Sequence, residues 1–360
     1  MCRAVKCVLV LACLVVAAGM PNHALGAEHA NDTGDKTTLS GPVWPAPPEP
    51  ARIRYVRSVL GASDWGVSRS WFGRLVDAVT GRHETQFVRP TGVASRDDIL
   101  YVADPGAQSV VIFDAARHKE IRIVRAGDQP LVSPVAVTPG PDGSMYVADS
   151  WLRQVLQFDR EGTLLRTIAH AELQRPSSLA FDSARRRLYV GDSKLHVVHV
   201  FDEQGNKVAA FGKLGAGEGE FNSPTHLAVM PDGDVIVTDA LNFRIQAFGA
   251  DGRFKYQIGK AGDGAGNFAA PKGVAVDRNG LIYVADAMFD AIQVFDANGQ
   301  LMLGFGEQGA QAGQFWIPNG LCIDANGKLF VADAYNRRIQ VFQIVSESSA
   351  ATGNARGSGQ

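Results

Sequence analysis

Six aspartates, Asp104, Asp149, Asp192, Asp239, Asp286 and Asp333, recur along the chain. Carboxylates are hard ligands for divalent ions and can move protons, so the set invites a metal or catalytic reading. Each one, however, ends a short apolar run and enters a turn, where a carboxylate on a short side chain accepts N–H bonds from the residues that follow. Six copies spread along the chain do not converge on one ion. A structural role is the preferred reading.

Other reactive side chains are sparse. Of the four cysteines, Cys2, Cys7 and Cys13 fall in the apolar N-terminal segment, which leaves Cys322 and no internal disulfide once that segment is removed. Cys322 lies in the apolar run GLCID, where a buried inert thiol is preferred over a nucleophile. A G-x-S-x-G nucleophile elbow is absent from the sequence.

The elements that position these residues repeat. Nine residues after each Asp comes a Phe (Phe113, Phe158, Phe201, Phe248, Phe295, Phe342), and 14 to 16 residues before it comes a Pro (Pro90, Pro134, Pro176, Pro224, Pro271, Pro318). Between them run short apolar stretches rich in β-branched residues, broken by turn signals such as RNG and ANG. A period of 42 to 48 residues with four strands per unit predicts an all-β fold, a six-bladed β-propeller of four-stranded antiparallel blades. The sixth copy supplies three strands only, and Arg52 to Leu60 (RIRYVRSVL) alternates as a strand. This N-terminal strand is expected to complete the last blade, close the ring and remove an exposed sheet edge.

Two copies carry a fuller pattern: Asp239, Asn242, Arg244, Ile245 and Phe248, and again Asp333, Asn336, Arg338, Ile339 and Phe342. This pattern resembles the NHL repeat, over about residues 89 to 345. The other four copies keep Asp and Phe but lose Asn and Arg. The resemblance implies a propeller of the kind that serves as RNA binder, protein platform, ligand sensor or, in some members, enzyme. Lyases of similar architecture hold a zinc at the axis with three histidines. Two residues after each opening Pro this chain has Gly92, Ala136, Ser178, His226, Gly273 and Gly320, so one of the six is His. His196 and His199 are expected in a third strand, away from the axis. Lactonases of related shape use Glu, Asn and Asp around a divalent ion, and Asn319 could imitate part of that set. His226 and Asn319 are therefore the axial-channel candidates. No cofactor is predicted, with a divalent ion in the axial channel as the alternative.

Outside the repeats, residues 1–27 combine Arg3 and Lys6 with an apolar run and small residues, the pattern of a secretory signal peptide. Val10 to Cys13 imitates a lipoprotein box, so a lipid anchor at Cys13 is the alternative. Residues 28–51 read as a polar, then Pro-rich linker, and 346–360 as a disordered tail. Within 61–88, Phe72, Leu75, Val76 and Val79 share a helical face, and a short amphipathic helix over Trp71 to Val79 is predicted. Without Arg3 and Lys6 the chain keeps 33 basic against 37 acidic residues, a net charge of −4, which gives no basic excess for nucleic acid.

The preferred reading is an extracytoplasmic binding or scaffolding module, monomeric, exported to the periplasm or beyond. Its partner is expected to be a protein or an extracellular polymer. The contact residues are sought in the turns after the repeat Asp, which carry Trp151, Leu152, Leu195, Leu241, Phe243, Met288, Phe289 and Tyr335. Trp151, Phe243, Phe289, Tyr335 and Arg337 are the chosen binding residues. The alternative is a metal-dependent lyase or lactonase at the axial channel.

Overall fold

The structure, a computed structural model, describes residues 41–67, 86–168 and 172–345. The expected signal peptide, the polar spacer, the helix over Trp71 to Val79 and the tail lie outside them.

Among the described residues the strands form six main sheets, five of four strands and one of five, each a run of antiparallel neighbours. They are the blades of a propeller. In sequence order blades 1 to 5 cover 92–123, 134–168, 176–211, 224–258 and 271–305; blade 6 covers 318–344. The six inner strands, Gly92–Arg96, Pro134–Pro139, Pro176–Asp182, Pro224–Val229, Pro271–Val276 and Pro318–Ile323, neighbour one another in a closed circuit around the axis.

This packing explains the sequence pattern strand by strand. A second strand is covered by neighbouring blades on both faces, so it reads as an unbroken apolar run; all six residues of Ile99–Asp104 are buried. Its alternate side chains feed two different cores. Leu100 and Val102 pack toward blade 6 beside Phe330 and Val341, whereas Ile99, Tyr101 and Ala103 pack toward blade 2 beside Met145 and Val147. Burial of such side chains is worth about 1.5–3 kcal/mol each, and the blades share these cores. Outer strands face solvent on one side and alternate accordingly, as Leu301–Phe305 does.

The ring closes through the N-terminal strand. Ile53–Val59 pairs antiparallel with Arg338–Ile344 and supplies the fourth strand of blade 6. One feature differs from the expected extended Pro-rich stretch: Val43–Trp44 adds a fifth strand on the edge of this one. The Trp44 ring lies 5.3 Å from that of Phe305 in blade 5 and 5.9 Å from that of Phe342 in blade 6. The aromatic surface offered by the two blades recruits the segment against its polyproline tendency.

The linking loops GEGEFNSP, GAGNFAAP and QAGQFWIP are held from within. Phe221, Phe268 and Phe315 are fully buried, each beside the Phe nine residues after the repeat Asp of the blade it leads into, with ring separations of 5.3, 5.6 and 5.8 Å. Gly306 shows why the loop needs glycine: its φ is 92°, and a Cβ there would stand 2.4 Å from the Phe315 ring.

Candidate binding face

The turn after each repeat Asp and the segment that leads into each blade lie on one face, and the Asp ties them together. In blade 2, Asp149 accepts N–H bonds from Trp151 and Leu152 on Oδ1 at 3.1 and 3.0 Å, and from Val132 on Oδ2 at 2.8 Å. Ser133 also donates its N–H to Asp149, at 3.0 Å to Oδ2. Asp104, Asp192 and Asp286 are bonded in the same manner. All six are buried, at 0 or 1 % exposure, so these carboxylates are spent on donors of the fold itself rather than presented to a ligand.

The turn geometry decides which side chains reach solvent. The fourth residue after each Asp adopts a left-handed backbone: Gln108, Arg153, His196, Phe243, Asp290 and Arg337 have φ between 49° and 59°. That reversal leaves the second residue at the tip. The tips are Gly106, Trp151, Lys194, Leu241, Met288 and Tyr335, all exposed. Trp151 is 73 % exposed, Met288 71 %, Leu241 59 % and Tyr335 48 %. Trp316, in the segment leading into blade 6, is 48 % exposed, with its ring 5.5 Å from that of Tyr335.

Three of the chosen binding residues do not stand at tips, among them Arg337, the exposed fourth residue of its turn. Phe289 is the third residue of its turn and is half-buried; Phe243 is the fourth and packs on the core between blades 4 and 5. Sequence reasoning passed over Leu241, Met288 and Trp316 as anchors. A fixed offset of two from the repeat Asp would have found the first two.

The full motif rewires the connection between blades. In blades 4 and 6 one oxygen of Asp239 and of Asp333 takes Asn242, Arg244 and Gln246, or Asn336, Arg338 and Gln340, at 2.8 to 3.2 Å. The other oxygen accepts only one leading N–H, from Asn222 or Trp316. The next N–H, of Ser223 or Ile317, turns to the preceding blade instead and donates to His196 Nδ1 at 3.0 Å or Asp290 Oδ1 at 2.7 Å. His196 is thus in the turn rather than the third strand, while His199 lies buried within the strand Val197–Asp202. Burial raises the Asp333 carboxyl above its ordinary value, against the hydrogen bonds from Trp316, Asn336 and Arg338.

Charge on this face is one-sided near the axis. The two residues before each opening Pro and the four after each repeat Asp contain Arg89, Arg153, Arg175, Lys194 and Arg337, all exposed. The one carboxylate among them, Asp290, is buried and bonded to Ile317. Farther out the linking loops carry both signs, with Lys213 and Lys260 exposed as well as Glu218, Asp263 and Glu307. The centre of the face therefore attracts anions, despite the slightly acidic chain.

The axial candidates His226 and Asn319 lie on the inner strands of blades 4 and 6. Between them runs the inner strand of blade 5, where Gly273 lies so close to blade 6 that a Cβ would meet the Asn319 carbonyl oxygen at 2.2 Å. Burial pushes His226 down to about 3, assisted by Lys272 and opposed by the Asn319 side chain. The ring is neutral, and its Nδ1 is sealed from water without a partner. Among the described residues no group of three or more His, Cys, Asp or Glu could hold a metal ion. His226 and Asn319 do not make the three-ligand set of a catalytic zinc. Cys322, half-buried in the inner strand of blade 6, has its thiol pushed up by burial and by Asp324. A thiol held protonated is a poor nucleophile.

Sequence comparison agrees with this geometry. A profile described as a 6-bladed beta-propeller matches residues 227–304, and the NHL repeat profile matches 315–342. The chain is a six-bladed β-propeller that carries an NHL repeat at 315–342. The RING finger protein nhl-1 of Caenorhabditis elegans is 33% identical over 199 residues, 49% of this chain and 20% of that protein. The propeller spans a fifth or less of the length of the curated relatives it matches. Among solved structures, a virginiamycin B lyase from Staphylococcus aureus superposes with a TM-score of 0.56 at 12% identity, over 72% of this chain and 97% of that one. A chain of a Nidogen/Laminin complex superposes at 0.53 with 18% identity, over 69% and 89%. At these identities the likeness is one of fold.

Proposed function

We propose that this NHL propeller is an extracytoplasmic binding module, which holds a protein or polymer partner on the face formed by the turns after the repeat Asp. The observation that carries the reading is the set of tip residues: Trp151, Leu241, Met288 and Tyr335 stand exposed at the same turn position in four blades. Nothing in the fold requires large apolar side chains there, since Gly106 and Lys194 occupy that position in the other two. Exposed aromatics are the side chains most often found as anchors of interfaces. The cations toward the axis favour a partner with negative charge around its apolar contacts. Export is supported by the sequence of residues 1–27. The Nidogen/Laminin chain is a propeller recorded in a complex with another protein, which supports this use of the fold.

The deciding experiment replaces Trp151, Met288, Trp316 and Tyr335 with Ser and compares capture of partners from the extracytoplasmic fraction with that of the parent. Loss of the captured species with an unchanged melting temperature supports the reading. Undiminished capture by the folded variant overturns it.

A further inference from the structure

The opposite face carries a cleft of about 1030 Å³ between blades 5 and 6, at the turns that join first to second strands. Its volume is that of a small-molecule site. Part of the wall is apolar: Leu281, Leu303, Ile323 and Ile344 belong to the core between these two blades yet are only partly covered, and Met302 is 40 % exposed, while Asn279, Asn326 and Gln343 add polar groups to the lining.

The polar lining is uneven. Its two carboxylates are buried and turned into their own turns. Asp277 accepts the N–H groups of Asn279 and Leu281 at 2.8 and 2.9 Å and the Tyr283 hydroxyl at 3.4 Å; Asp324 accepts those of Asn326 and Lys328, both at 2.8 Å. Its two cations stand at the edge. Arg52 gives one long hydrogen bond, 3.4 Å, to the Met302 carbonyl. Arg278 is exposed.

We infer that this cleft binds an amphiphile with a single anionic head, a long-chain carboxylate, its alkyl chain against Leu281, Leu303, Ile323 and Ile344 and its carboxylate at Arg52 and Arg278. Charge complementarity selects the head, because a guanidinium recognises a carboxylate through paired N–H donors. The apolar walls select the chain. Rings have no exposed aromatic face to stack on, since Tyr283 is buried. The site is separate from the loop face and does not depend on its role.

Calorimetric titration of the purified full chain with dodecanoate tests the inference. Saturable binding at one site is expected, with dodecanol and acetate each at least about tenfold weaker, since one lacks the charge and the other the chain. Arg278→Gln, at an exposed position, should weaken dodecanoate by about tenfold. Met302→Trp, which fills the mouth, should abolish binding while the melting temperature stays near the parent's. Trp151→Ser, on the opposite face, should bind dodecanoate as the parent does. Equal binding of dodecanol and dodecanoate, equal binding of acetate, or undiminished binding by Met302→Trp would each overturn it.

Discussion

Ile317 donates its backbone N–H to Oδ1 of Asp290, one blade earlier, at 2.7 Å. Ser223 and His196 make the same link from blade 4 back to blade 3, at 3.0 Å. Both donors follow from the full NHL motif. Where Asn and Arg occupy the repeat Asp, its oxygens can no longer take both leading N–H groups, and the preceding turn must supply the missing acceptor. Ile317 adopts φ 56°, an uncommon conformation for a β-branched residue, so the link also holds a strained backbone. Residues outside the motif pattern of their own blade are thus partners of the intact motif next door.

Asp290→Ala should therefore cost about 1–3 kcal/mol, the penalty of leaving a part-buried N–H unpaired, whereas Asp290→Asn keeps an acceptor and should cost less. His196→Ala should behave like Asp290→Ala. Denaturant melts of the three variants check this, and parent-like stability of Asp290→Ala would dismiss the link as decoration.

Ring closure predicts a second effect. Removing residues 41–60 strips blade 6 of its fourth and fifth strands and exposes the edge of Arg338–Ile344, so the product should aggregate or lose its cooperative melt. Trp44→Ala alone, which removes the half-buried ring from Phe305 and Phe342, should cost about 2 kcal/mol. An unchanged melting temperature would show that the fifth strand is idle.

The turn positions separate anchors from core. Trp151→Ser should change stability by no more than about 0.5 kcal/mol. Phe243→Ser, which uncovers the core between blades 4 and 5, should lose about 1–3 kcal/mol. Thermal melts of the two proteins side by side decide this; equal losses would mean that Trp151 also serves packing.

His226 gives a pH signature. Its folded value of about 3 lies below the ordinary 6.5, so the unfolded chain binds the proton first as pH falls. Stability from the neutral ring is complete above about 6.5 and is lost as pH falls toward 3, with a slope of up to about 1.4 kcal/mol per pH unit. Carboxylates titrate in the lower part of this window, so the comparison is with His226→Gln, which should flatten the slope between pH 6.5 and 5. Identical slopes would place the ring in water.

Cys322 offers a chemical check. Its thiol should resist iodoacetamide in the folded protein and react once denaturant unfolds it, because only the thiolate alkylates readily. Rapid labelling without unfolding would mean that the inner strand of blade 6 opens.

The sequence by itself determined the architecture. Six registers of Pro, Asp and Phe, with unbroken apolar second strands and a missing last strand, leave few arrangements other than a closed six-bladed ring, because each run must be covered on both faces and each edge paired. The identity of the repeat Asp as a turn fastener was also legible, since its chemistry is local. What only the tertiary structure decided is which side chain points where. Phe243 and Met288 are both large apolar residues in the same kind of turn, yet the left-handed fourth position turns Phe243 onto the core and leaves Met288 at the tip. The partners of Asp290 and His196, the close approach of Gly273 to Asn319, and the cleft beside Arg278 join residues that are 27 to 46 positions apart or lie on different blades. Such contacts depend on how neighbouring blades are spaced, and spacing is a property of the assembled ring that no single repeat carries.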